Sequence, residues 1–327
     1  MLKKRLSVGL LVLVMVVVNI TSFAAPKGYP ERPIELVIPA GAGGGLDTTG
    51  RFFAEELKKE FKVPIKVSNI SGGAHVKGIL YAYSAPADGY TIHALSPSDI
   101  MADVFKKMNF RFIDEFVAIA RVNHDTAVIS VSAKSKYKTI QDLIGYAKAN
   151  PGRLAWGGLS PGGIDDAVSS AFAKQAGFTF TFIPHESAGE LNAAILGGHV
   201  DVSQGEPVEV AELVRSGDMR PLMVIGEKRV DSVPEFKNVP CSKEIGLNID
   251  LGTWRGFAVR KGTPDEIVKL LESKFKKIYN SKAWKDYARK NGLDTRPGWL
   301  DSKDFTQSWH DEVKLYTEIF TELGRIK

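Results

Sequence analysis

Residues 34–51, IELVIPAGAGGGLDTTGR, constrain the fold more than any other stretch of this chain. Ile34 to Ile38 are mostly apolar and β-branched, which suits a buried strand, and Pro39 ends the run. Residues 40–46 are mostly glycine, and Asp47 can then cap a helix that carries Phe52, Phe53 and Leu57. Strand, glycine loop and helix start together let a bound group approach the backbone closely. The free N–H groups at the helix start favour negative charge there. The loop reads as a cradle for a small anion.

The pattern then repeats. Residues 65–67 read as a strand, Ser71-Gly72-Gly73-Ala74 as a turn and residues 75–85 as a helix. Ala87-Asp88-Gly89 turns into a strand at 90–95, with Ser96-Pro97-Ser98 as its exit loop. Repeated strand, turn and helix predict a doubly wound α/β domain, in which ligand groups gather where strand ends face a crevice. Short strands at 117–122 and 126–131 flank Asn123-His124-Asp125, where the domain changes. After a helix at 139–149 and a strand at 153–156, Gly157-Gly158-Leu159-Ser160-Pro161-Gly162-Gly163 leads into a helix from Ile164. This second glycine loop supplies an opposite crevice wall. Strands at 179–184, 200–203 and 220–225 and helices at 190–196 and 206–216 extend the second unit. Residues 254–259 form a strand returning to the first domain, followed by helices to Asn280, at 282–291 and at 301–323. The expected division is 1–24 as a signal peptide, 25–126 plus 250–327 as domain 1, and 127–249 as domain 2. Two crossings between domains make a hinge.

The signal assignment rests on Lys3, Lys4 and Arg5 before an apolar run at 8–18, with Ser22-Phe23-Ala24 before the cut. Eleven apolar residues are too few to span a hydrocarbon core comfortably. Cleavage removes three of 43 basic residues and none of 38 acidic ones, leaving a formal charge near +2. That balance, without a basic stripe interleaved with aromatics, argues against nucleic-acid binding. Cys241 is the single cysteine, so no internal disulfide forms, and six histidines without ligand spacing give no metal site. No cofactor is expected. A bacterial periplasm fits the signal.

Several residues stand where a ligand would sit. Gly43, Gly44 and Gly45 form the first cradle, Thr48 brings a hydroxyl near its donors, and Asp47 contacts ligand or caps its own helix. Ser160 can donate a hydrogen bond where Pro161 cannot. Ser96 and Ser98, and His185, Glu186 and Ser187, follow strands whose ends open on the crevice. His75 could report a carboxylate or pH but reads first as a solvent-facing histidine, and Trp156 and Trp254 could line the pocket for a ligand with a ring but read first as packing residues near strands. Ser160, His185 and Asp201 could be gathered into a hydrolytic triad on paper, but Ser160 lacks a nucleophile elbow. The glycine loop lacks the last glycine of a dinucleotide fingerprint and the Gly-Lys-Ser/Thr of a P-loop. Catalysis is not expected.

With Tyr29-Pro30-Glu31-Arg32-Pro33, Gly43-Gly44-Gly45-Leu46-Asp47, Ala87-Asp88-Gly89-Tyr90, Leu196-Gly197-Gly198-His199-Val200-Asp201, Trp254-Arg255-Gly256-Phe257 and Gly262-Thr263-Pro264 in this order, the chain resembles periplasmic solute-binding proteins of tripartite tricarboxylate transporters. The resemblance implies a type II periplasmic binding protein, two α/β domains that close on a small organic carboxylate and deliver it to integral membrane permease subunits. It implies a monomer without bond chemistry. It also implies that Gly43, Gly44, Gly45, Asp47 and Thr48 clasp carboxylate from one side and Gly158, Ser160, Gly163 and Asp165 from the other. A receptor signalling through a sensor kinase would share this pocket. The sequence departs from the family pattern at Asp166, where a histidine often stands, and at His185-Glu186. Asp166, Glu186 and Glu206 would repel a multiply charged anion unless they point away, carry a proton or meet a cationic part of the ligand.

Overall fold

A computed structural model describes residues 28–326 except positions 160, 250, 295 and 323. The expected signal peptide and Ser160 lie outside the described residues. The chain builds two five-stranded sheets. The first contains β1 (Ile34–Ile38), β2 (Ile65–Asn69), β3 (Thr91–Leu95), β4 (Phe116–His124) and β10 (Trp254–Arg260), in the order β2-β1-β3-β10-β4. The second contains β5 (Val128–Ser132), β6 (Leu154–Leu159), β7 (Phe180–His185), β8 (Val202–Gly205) and β9 (Met219–Val224), in the order β7-β6-β8-β5-β9.

In each sheet four strands point one way and the fifth lies antiparallel to both of its neighbours. β10 pairs antiparallel with β3 and β4, and β5 with β8 and β9. These two strands follow the two chain crossings, so each sheet is completed by a strand that has just arrived from the other lobe. The crossings touch. The Asp125 N–H donates to the Thr253 carbonyl at 2.6 Å. A Cβ at Gly252 would lie 2.4 Å from the Asp125 oxygen, so the second crossing passes the first at backbone contact.

β1 is buried on both faces, as expected for a strand inside a sheet covered by helices. Helix α1 (Gly45–Phe61) lays Leu46, Phe53 and Leu57 on that sheet, where Phe53 stacks on Phe275 of α9 (Asp265–Asn280). Lys62 ends α1 in the left-handed conformation, its N–H bonded to the Lys58 carbonyl. Helices α2 (Val76–Ser84), α3 (Pro97–Val104) and the single turn α4 (Phe112–Glu115) complete the first half of the chain.

α3 corrects the expected exit loop at Ser96-Pro97-Ser98. Ser96 is its N-cap, Pro97 occupies its first turn, and Asp99 returns a bond to the Ser96 N–H. All eight of its residues are buried, so no amphipathic period marked it as a helix.

The second lobe carries α5 (Ile140–Ala149), α6 (Ile164–Ala176), α7 (Ala188–Leu196) and α8 (Pro207–Arg215). α7 starts at Ala188, two residues earlier than the sequence reading, because Ser187 caps it by accepting from the Glu190 N–H. After α10 (Lys282–Lys290), the last helix α11 (Ser302–Glu322) ties the lobes together. Phe305 and Trp309 pack in the core below β4 and β10, while Phe320 meets Phe105 at 4.6 Å. Glu322 reaches Lys174 of α6 across the lobes. Trp156 and Trp254 are fully buried among these packing residues. Among the described residues no helix is long and apolar enough to cross a membrane.

Candidate functional site

The cleft between the lobes is lined by the start of α1, the ends of β3 and β6, the starts of α7 and α8, and the second crossing. Gly44 and Gly45 line it from the first lobe, where Gly44 is the N-cap of α1 in extended conformation. The Gly45 N–H points across the cleft and donates to Oε1 of Glu209, on α8 of the opposite lobe, at 2.7 Å. Oε2 of Glu209 accepts the Glu206 N–H at 3.0 Å. One carboxyl group therefore joins a backbone donor of one lobe to a backbone donor of the other.

Arg255, at the start of β10, lies beneath this contact and is 1% exposed. Its Nη1 meets Asp125 at 3.1 Å, and its Nη2 lies 3.5 Å from Glu206. A Cβ at Gly45 would sit 1.9 Å from Nη2, so glycine is required there to let the guanidinium underlie the helix start. Three carboxyl groups thus surround one guanidinium. Burial works against the charge of Glu206, but Glu209 and Arg255 hold it below its ordinary value. Burial and the Glu206 charge push Glu209 well above its own. Burial lifts Asp125 to about 7 even beside Arg255, with Glu206 adding to the rise. The cleft floor is an internally compensated charge cluster.

The second lobe contributes Leu159, Ile164 and Asp165. Asp165 accepts the Leu159 N–H at 2.6 Å and a Gln204 amide N–H at 3.2 Å. Burial first, then Glu206, raises it to about 8, so it keeps its proton at neutral pH in most molecules.

Of the residues singled out by sequence, the cleft gathers Gly44, Gly45, Ser96, Ser98, Asp165, Glu186, Ser187 and Glu206. Gly41 and Ser187 bring the lobes into contact, a Cβ on Gly41 falling 2.9 Å from that of Ser187. Others face elsewhere. Gly43, at φ +86°, donates its N–H to Asp47, whose carboxylate also binds Arg51 and Asn69 inside its own lobe. Burial opposes the charge on Asp47, yet Arg51, the Gly43 N–H and Asn69 keep its pKa low. The Thr48 hydroxyl donates to the Gly45 carbonyl at 3.3 Å. Gly158 lies within β6, where a Cβ would strike the Phe182 ring at 2.8 Å, and Gly163 is the N-cap of α6. His185 bonds the Ile183 carbonyl through Nδ1, while Asp201 accepts the Ala155 N–H, so each of these two is held within its own lobe.

The acidic residues divide as well. Asp166 points away, accepting from Gly162 N–H and pairing with Arg325 at 3.1 Å. Glu206 meets a cation, but that cation is the protein's own Arg255. Glu186 is exposed at the mouth.

His75 corrects the solvent-facing expectation. It lines the cleft at φ +73°, its Nδ1 bonded to Asp99 at 2.8 Å, while buried His93 holds the other oxygen of that carboxylate. Burial opposes the Asp99 charge, and the two histidines hold its pKa well below the carboxylate range. The sequence reading also missed Arg255, Glu209 and Thr253, which line the cleft only because distant segments converge.

Two α/β lobes joined by two crossings, with a polar cleft between them, define a two-lobed solute-binding protein. The profile of the tripartite tricarboxylate transporter family receptors matches residues 49–325, and the chain belongs to that family. A Cupriavidus necator protein, described as a UPF0065 protein in the gbd 5' region, is 32% identical over 301 residues, covering 91% of this chain and 90% of its own. The solved structure of a TctC solute-binding protein from Polaromonas is 28% identical with a TM-score of 0.65, covering 90% of this chain and 99% of its own. A Rhodopseudomonas palustris protein solved with adipate matches with a TM-score of 0.83 at 24% identity, covering 90% of this chain and 98% of that one.

Proposed function

We propose that this chain is a periplasmic solute receptor that closes its two lobes on a small organic carboxylate and presents it to integral membrane permease subunits. It is exported by a signal peptide at 1–24 and works as a monomer. The crossings at 124–127 and 251–253 act as the hinge between residues 25–126 plus 250–327 and residues 127–249. The observation that carries this reading is the Gly45 N–H at the start of a 17-residue helix, facing the cleft above the Arg255 guanidinium. A backbone donor, a helix dipole and a buried cation aimed at one spot are the chemistry of carboxylate recognition. Ser96, Ser98, Ser187 and His75 provide further hydrogen-bonding groups around that spot. Binding of adipate by the R. palustris neighbour supports the choice of solute class.

The mature protein should therefore release a stoichiometric small carboxylate on unfolding, seen by native mass spectrometry. After refolding it should bind members of a mono-, di- and tricarboxylate panel with a thermal shift. An empty protein that shifts with none of them would remove the carboxylate assignment.

A further inference from the structure

The anion cradle of the first lobe already holds a carboxyl group, and it belongs to the protein. Glu209 takes the Gly45 N–H at 2.7 Å, with the Arg255 guanidinium close by. This is the arrangement a solute carboxylate would adopt at the same spot. We propose that Glu209 is a resident occupant of the Gly45 donor and that a solute carboxylate enters by replacing it, which makes Glu209 a determinant of affinity and entry. The inference rests on the carboxylate reading and specifies how that site is filled.

Three observations favour replacement over joint occupancy. The Gly45 N–H is a single donor already satisfied at full hydrogen-bond length. The seated Glu209 carboxyl spans the gap between the two helix starts, Oε1 on the Gly45 N–H and Oε2 on the Glu206 N–H, and so fills the position a solute carboxylate needs at that donor. Third, the site holds a buried donor that no described group takes up. Nε of Arg255 lacks a hydrogen-bond partner although the side chain is 1% exposed and lines this cleft. A larger or better-placed carboxylate than that of Glu209 can use that donor, which is a gain the internal group does not collect.

Glu209 stands on α8 of the second lobe, so its bond to Gly45 also pulls the lobes together. A solute has to break that bond before it can make its own. An intramolecular competitor acts at a high effective concentration and lowers apparent affinity by the fraction of molecules in which it is seated.

The test uses the mature protein with adipate as the probe. Spin labels go on Leu80→Cys in the first lobe and Leu196→Cys in the second, both exposed, while Cys241 is buried and stays unlabelled. Glu209→Ala should lengthen the distance between labels without adipate, and adipate should restore the short distance. Calorimetry and stopped-flow should show adipate bound roughly tenfold more tightly by Glu209→Ala, with faster association, the loss of one competing hydrogen bond. Glu209→Gln keeps the size and one acceptor and should fall between wild type and Glu209→Ala, which guards against a folding defect in the alanine variant. Weaker adipate binding by both variants would overturn the proposal, since Glu209 would then be a solute contact. Unchanged distance and unchanged affinity would overturn it too. A lengthened distance with no adipate binding by any form would support the latch and remove the carboxylate reading instead.

Discussion

The two glycine loops share one plan, strand to glycine loop to helix start, yet they use their donors differently. In the second loop the N–H of Leu159 goes to Asp165 and that of Gly162 to Asp166, residues in the first turn of the helix the loop itself starts. Asp166 is then neutralised by Arg325 from beyond α11. In the first loop Asp47 takes the Gly43 N–H, and the Gly45 N–H crosses the cleft to Glu209. The second loop turns the Leu159 and Gly162 donors onto its own helix start, whereas the first sends the Gly45 donor to the other lobe. A glycine-rich helix start thus offers a donor to the cleft only where the side chains of its own first turn do not take it up.

This contrast can be broken in graded ways. The largest effect belongs to Arg255, the cation under the first loop. Arg255→Met leaves Asp125 and Glu206 buried without compensation, and urea unfolding should show a loss of about 3–5 kcal/mol. A loss below 1 kcal/mol would mean the cluster is not held by this charge.

Next comes the paired substitution of the loops. Gly45→Ala puts a Cβ 1.9 Å from the guanidinium and should weaken adipate binding about a hundredfold, near 2.7 kcal/mol. Asp166→Asn, in the closed loop, should leave adipate affinity unchanged and lower stability by about 1 kcal/mol, since Arg325 is half in solvent. If Asp166→Asn abolished binding while Gly45→Ala did not, the roles of the two loops would be reversed.

The last is a pH effect. Burial and Glu206 raise Asp165 to about 8 in the folded protein, above its ordinary carboxylate value. Between those two values the folded state binds more protons than the unfolded state, so this group's contribution to stability falls as pH rises from about 4 to 8 and is flat above that. The Tm of Asp165→Asn relative to wild type should therefore increase across that window. A difference that stays constant with pH would show that Asp165 titrates normally.

Much of this was legible in the sequence because it is written locally. The first strand, its glycine loop and α1 lie within 34–61, and turn and cap residues mark each boundary. The repeat of that unit disclosed two α/β lobes. What was hidden depends on residues brought together from far apart. Asp125 and Arg255 are separated by 130 positions, and Gly45 and Glu209 by 164. Neither Arg255, in an apolar strand, nor Glu209, one of two acids on α8, carries a local sign of facing the cleft. The same holds for His75, which faces inward because Asp99 on another helix holds it. Asp47 and Thr48 matched the expected motif by position, but hydrogen bonds within their own lobe turn them from the cleft.

The most direct measurement is a proton–nitrogen NMR titration of the mature protein with adipate, following the amides of Gly45 and Gly162. The expected result is a large shift of the Gly45 amide as its partner changes from Glu209 to adipate, with the Gly162 amide, tied to Asp166, almost still. A Gly162 amide that moves while Gly45 stays fixed at saturation would contradict the assignment of the first loop as the open cradle.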